Sequence, residues 1–191
     1  LDAPPIIMGH SFGGAFTQIL LDRGLGAAGV AIDSAPLKGM FALPGSTLKA
    51  GRPVLKNPAN RHKAVALTPE EFHYSFTNTL DEAESEAIFE RYAVPGPGRV
   101  LFPGALAHFS PHATVAVDFG NDDRAPLLLI AGGADHVAPA SLNKSNFEHY
   151  KKSAAVTEFK EFPGRSHFTL GEDGWEDVAD YALNWAVEAA G

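Results

Sequence analysis

Cysteine is absent from all 191 positions. That removes disulfides, thiolate catalysis and cysteine-ligated zinc together, while saying little about compartment. Basic residues are also scarce, with 15 lysines and arginines against 23 acidic residues and a net charge of −8. No basic stripe or phosphate-cradling motif offsets that balance, so no nucleic-acid partner is expected. No apolar run approaches the roughly 18 residues of a membrane span. Internal repeats and low-complexity segments are missing as well. Among the eight histidines, His62, His73, His108, His112 and His149 show no metal-ligand spacing, and neither a metal nor a cofactor is expected.

What remains is a globular composition. With 45% hydrophobic residues the chain is long enough for one core, and one domain with an insertion is the simplest count. Four strands are predicted, at Ile6 to Met8, Gly29 to Asp33, Leu127 to Ala131 and Val156 to Phe162. The run Pro126 to Ala131 is continuously apolar, as in a parallel strand buried on both faces. Ala15, Phe16, Ile19 and Leu20 recur at helical spacing before a stop at Gly24. A helix is predicted from Ala140 to Lys152. A last one carries Val178, Tyr181, Ala182, Trp185 and Ala189 at three- and four-residue steps, which makes Trp185 a core residue. Strands alternating with helices give an α/β class with a mostly parallel sheet of about four strands and flanking helices.

Between Leu37 and about Val117 proline, glycine and histidine are scattered among short helical pieces. Thr68-Pro69-Glu70-Glu71 is a helix start, with threonine as cap, proline next and glutamate three residues on. A second helix is predicted over Glu82 to Tyr92, stopping before Pro95-Gly96-Pro97-Gly98, and a third, short one near Ala105 to Phe109. Phe72, Tyr74, Phe76 and Phe109 read as a small core of this segment. The division expected is a core of residues 1–36 and 118–191 with an inserted, mostly helical cap at 37–117.

Gly9-His10-Ser11-Phe12-Gly13 stands directly between the first strand and the first helix. A serine at such a turn is lifted out of the sheet on strained backbone that needs small neighbours, here Gly9 and Gly13. In this strand-turn-helix setting the motif resembles the nucleophile elbow of the α/β-hydrolase family. The resemblance extends downstream, to Gly132-Gly133-Ala134-Asp135 after the third strand and to Pro163-Gly164-Arg165-Ser166-His167 after the fourth. It implies a serine hydrolase with Ser11 as nucleophile, His167 as base, Asp135 as the acid, and the Phe12 backbone N–H as one oxyanion donor. Asp33, after the second strand, is the rival acid, with turn capping as its other reading. His10 is assigned to packing or hydrogen bonding. His136, next to the acid, is expected to point away from the group that Asp135 serves.

The resemblance also implies strands before the elbow, for which there is no room ahead of Pro5. The chain is therefore expected to be the C-terminal portion of a longer protein, with the second oxyanion donor upstream. A small apolar ester cleaved through an acyl-enzyme is the expected substrate. Lipase, lactonase, thioesterase, carbon–carbon hydrolase and perhydrolase activities stay open, because fold does not separate them. The alternative of another class is a non-catalytic, receptor-like relative that binds a small molecule. A cytoplasmic location is expected, secretion being left open by the unseen N-terminus.

Overall fold

A computed structural model describes residues 2–40, 44–105 and 115–191. Its centre is a four-stranded, all-parallel sheet in the order β1-β2-β5-β6, formed by Ile6–His10, Ala28–Ile32, Leu127–Gly132 and Thr157–Phe162. All four predicted strands are present within a residue or two of the expected bounds. The two central strands, β2 and β5, are buried along their whole length. Their sequences are apolar at every step because both faces are covered, as parallel sheets require.

One face is covered by α1 (Phe12–Asp22) and α6 (Ala140–Tyr150). There Leu21 and Tyr150 pack with Ala31, Leu127 and Leu129. Alternation along the strands sends Val30, Ile32, Leu128 and Ile130 to the other face, where they meet Val178, Ala182 and Ala186 of α7 (Trp175–Ala190). Trp185 packs against the same cluster, as its spacing predicts. Helix α1 begins at Phe12 rather than beyond the glycines. It ends where Gly24 takes a left-handed φ of 73° and the Leu25 N–H returns to the Leu20 carbonyl.

The described residues between β2 and β5 fold into α2 (Gly45–Leu55), a 3-10 turn (Pro58–His62), α3 (Pro69–Phe76), α4 (Glu82–Tyr92) and α5 (Gly98–Ala105), with β3 (Ala64–Val65) pairing antiparallel to β4 (Gly96–Pro97). Both α3 and α4 carry a full capping box, Thr68 with Glu71 and Asp81 with Glu84. Helix α2 has no counterpart among the expected helices, since it carries Gly51 and Pro53 in its interior. Of the short helix expected at Ala105 to Phe109, positions 106–109 lie outside the described residues. Ala105 itself ends α5, which starts at Gly98, where a stop was expected.

The expected aromatic core is also divided. Phe72 is buried, stacked on Phe76 with centroids 5.1 Å apart and edge-on to Phe89 at 5.4 Å. Tyr74 turns instead toward His136 and the ammonium of Lys49. Phe109 lies outside the described residues.

Candidate active site

Three loops at the C-terminal ends of β1, β5 and β6 converge, which is where open parallel sheets place their sites. Ser11 follows β1 with φ 55° and ψ −118°, outside the ordinary wells for a residue with a Cβ. Neighbouring backbone fixes it there. The Ser11 N–H donates to the Ile32 carbonyl at 2.9 Å, and the Ser11 carbonyl accepts from Gly14, Ala15 and Ala35. Gly9 is required by sterics, since a Cβ there would stand 2.2 Å from the Gly13 carbonyl oxygen. Gly13 is not, because a Cβ on it would meet nothing within 4 Å, against the expectation that both positions need a small residue.

His167 is 1% exposed and uses both ring nitrogens. Asp135 accepts only, so Nδ1 carries the proton and donates to Asp135 Oδ2 at 2.6 Å, while Nε2 accepts from the Ser11 hydroxyl at 3.0 Å. The second oxygen of Asp135 accepts from the N–H groups of Val137 at 2.6 Å and Ala138 at 3.0 Å, which fixes the carboxylate. Burial works against a charged His167. The hydrogen bond and charge of Asp135, with Asp33 adding to them, outweigh it and raise His167 above the ordinary histidine value.

The profile of the alpha/beta hydrolase family matches residues 1–181. The chain belongs to that family. Similar solved structures include a monoacylglycerol lipase from Paleococcus ferrophilus, with TM-score 0.61, 19% identity, and 98% of this chain covered against 70% of that one. A thermophilic esterase from Thermogutta terrifontis gives 0.63 and 17%, covering 98% and 66%. A Rhodococcus esterase gives 0.59 and 21%, covering 96% and 65%. The chain thus spans about two thirds of the length of these proteins. No curated protein matches the sequence.

Asp33 is fully buried in this hydrolase and does not hydrogen-bond His167. Its Oδ1 accepts from the Gly132 N–H at 2.6 Å, which ties the end of β2 to the end of β5. That is close to the capping role weighed for it, carried out across strands. Its Oδ2 lies 3.8 Å from His10 Nε2, too long for a hydrogen bond, and neither atom has another partner among the described residues. Burial is the main cause of a raised Asp33 pKa, only partly offset by the nearby histidines. The His10 ring sits 4.6 Å from that of His167. His10, Asp33 and one nitrogen of His167 form a group with metal-ligand chemistry, their donor atoms mutually within 4.8 Å. His136 Nδ1 meets the Tyr74 carbonyl at 2.8 Å, whereas Asp135 bonds His167.

Several supporting residues escaped sequence reasoning. Phe76 stands edge-on to the His167 ring at 5.3 Å, and its carbonyl accepts from the Phe168 N–H and the Ser166 hydroxyl. Glu172 gathers the Ser166 N–H and the Thr79 hydroxyl on one oxygen, and the same oxygen shares the single Ser166 hydroxyl proton with the Phe76 carbonyl. Asn78 donates to the Ala134 carbonyl at 3.0 Å. The α3 end and the turn after it therefore brace the loops carrying Asp135 and His167. No spacing signal marks such residues.

Proposed function

We propose that this hydrolase cleaves a carboxylic ester through an acyl-enzyme, with Ser11 as nucleophile, His167 as general base and acid, and Asp135 orienting His167. The observation that carries the reading is the unbroken hydrogen-bonded run from Ser11 through His167 to Asp135. Ser11 Oγ attacks the ester carbonyl as its proton passes to His167 Nε2. Asp135 stabilises the imidazolium without taking the proton. Negative charge develops on the carbonyl oxygen, and the Phe12 N–H at the start of α1 is a donor to it, since the first N–H groups of a helix lack internal partners. The intermediate collapses, His167 returns the proton to the leaving alcohol, and water then releases the acid by the same steps.

The described residues of the 37–117 segment serve as the cap over this site. Support comes from Phe76 beside His167 and from the bonds of Tyr74, Phe76 and Asn78 to the loops after β5 and β6. An aromatic face next to the base suits an apolar acyl or alcohol group. A fluorophosphonate probe tests the assignment directly: wild type is expected to label once, at Ser11, and His167→Ala to label far more slowly. Ser11→Ala is expected to lose about 10⁴–10⁶ in turnover of simple esters. Turnover within tenfold of wild type refutes the reading. A panel of thioesters, lactones and peroxide acceptance separates the finer activities.

A further inference from the structure

We propose that His10, Asp33 and His167 form a binding site for a transition-metal dication, with Zn²⁺ the first candidate, and that its occupation blocks the reaction. The metal-binding part stands on the geometry alone; the blocking part rests on the function proposed above. Two imidazoles and a carboxylate are a donor set that zinc takes at about 2.0–2.2 Å, whereas Mg²⁺ and Ca²⁺ favour all-oxygen sites. The three residues come from three elements, the end of β1, the turn after β2 and the loop after β6, so no sequence spacing announces them.

The fully buried Asp33 Oδ2 has no hydrogen-bond partner among the described residues, and neither has His10 Nε2, 3.8 Å away. A buried carboxylate oxygen left unpaired is costly, and a cation between these atoms satisfies both. Asp33 is anchored for the task, since its other oxygen holds the Gly132 N–H. Tetrahedral zinc keeps its donor atoms about 3.4 Å apart. The His10–Asp33 separation, 3.8 Å, is already near that, and all three donor atoms lie within 4.8 Å of one another.

Occupation has a direct chemical consequence. Zinc-bound histidines commonly give their second ring N–H to a carboxylate, and His167 Nδ1 already does so to Asp135. The ligating nitrogen is then Nε2, the same atom that accepts the Ser11 hydroxyl. A lone pair held by zinc cannot take the serine proton. Binding on Nδ1 instead would break the bond to Asp135, so either mode interrupts the run.

Calorimetric titration of the full chain with Zn²⁺ alone, in a non-chelating buffer, tests the site. One ion is expected to bind, with affinity kept in Ser11→Ala and lowered in His10→Gln and in Asp33→Asn by at least the about 10–100-fold that loss of an outer-sphere partner costs. Ester turnover is expected to fall in step with occupation, to return on adding EDTA, and to need correspondingly more zinc in His10→Gln. Absent binding, or equal affinity in wild type and both variants as surface histidines would give, overturns the proposal. Cobalt provides a measurement independent of variant folding: intense tetrahedral d–d absorption that zinc abolishes supports the site, and only the weak spectrum of the hydrated ion refutes it. Site-dependent zinc binding in a chain without ester turnover would sink the hydrolytic reading and leave the site standing. Undiminished turnover at full occupation would remove the block alone.

Discussion

Replacing Ser11 by glycine rather than by alanine isolates the strain held at the turn. Both substitutions remove the hydroxyl and leave His167 Nε2 without its donor, so that loss cancels between them. They differ in the Cβ, which at φ 55° and ψ −118° lies where only glycine is at ease. Strain at such a residue costs about 1–3 kcal/mol, and glycine loses about 0.5–1 kcal/mol more chain entropy on folding than alanine. Setting about 2 kcal/mol of relief against about 1 kcal/mol of entropy leaves Ser11→Gly more stable than Ser11→Ala by about 1 kcal/mol. In a domain of this size that is a difference of about 2–4 °C in Tm. Chemical denaturation of the two variants side by side, checked by thermal melts, measures it. If Ser11→Gly melts below Ser11→Ala, the turn holds no strain and the backbone geometry argued for the nucleophile is wrong.

Gly9→Ala forces a Cβ against the Gly13 carbonyl at 2.2 Å and is expected to cost several kcal/mol or prevent folding, whereas Gly13→Ala, with nothing within 4 Å and a helical position, changes stability by no more than about 1 kcal/mol; melts of equal size for the two would contradict the packing. Asp135→Asn is expected to lower turnover about 10⁴-fold and Asp33→Asn less than tenfold, and the reverse order transfers the acid role to Asp33. His167 must be neutral to accept a proton, so its raised pKa moves the acid limb of kcat/KM above the ordinary value of about 6.5. Removing the Asp33 charge lowers that pKa, so in EDTA the limb of Asp33→Asn shifts to lower pH; a shift upward would reverse the sign of the coupling. The stability that His167 gains from its partners is complete below about pH 6.5 and is lost as pH rises through the raised value, which urea unfolding across that range would register as a decline.

The sheet was legible because burial on both faces makes β2 and β5 apolar at every step, a pattern that needs no knowledge of partners. Ser11 was legible for a related reason: the demand for Gly9 beside it is local, made by the turn's own backbone. Helix α2 was hidden because Gly51 and Pro53 argue against it, and contacts with α3 and α5 supply what propensity does not. Asp33 illustrates the limit of a linear reading. Its position at a strand end reads the same for an acid and for a cap, and its bond to the Gly132 N–H is between residues 99 positions apart, which no spacing announces. Phe76 and Glu172 were invisible as site residues because what they brace lies about 90 residues away or in a folded-back loop.

The sheet consists of two local βαβ units, Ile6–Ile32 and Leu127–Phe162, joined where β2 pairs with β5. Ser11 belongs to the first unit, while Asp135 and His167 belong to the second or to the loop leaving it. During synthesis the first unit can close on itself long before the second exists, carrying the serine turn without the base proposed for it. On the proposed assignment the nascent protein is thus chemically silent until the second unit has emerged and docked. A protease cut between the two units would part the proposed nucleophile from its proposed base, and any hydrolysis recovered by mixing the halves would count the β2–β5 junctions re-formed.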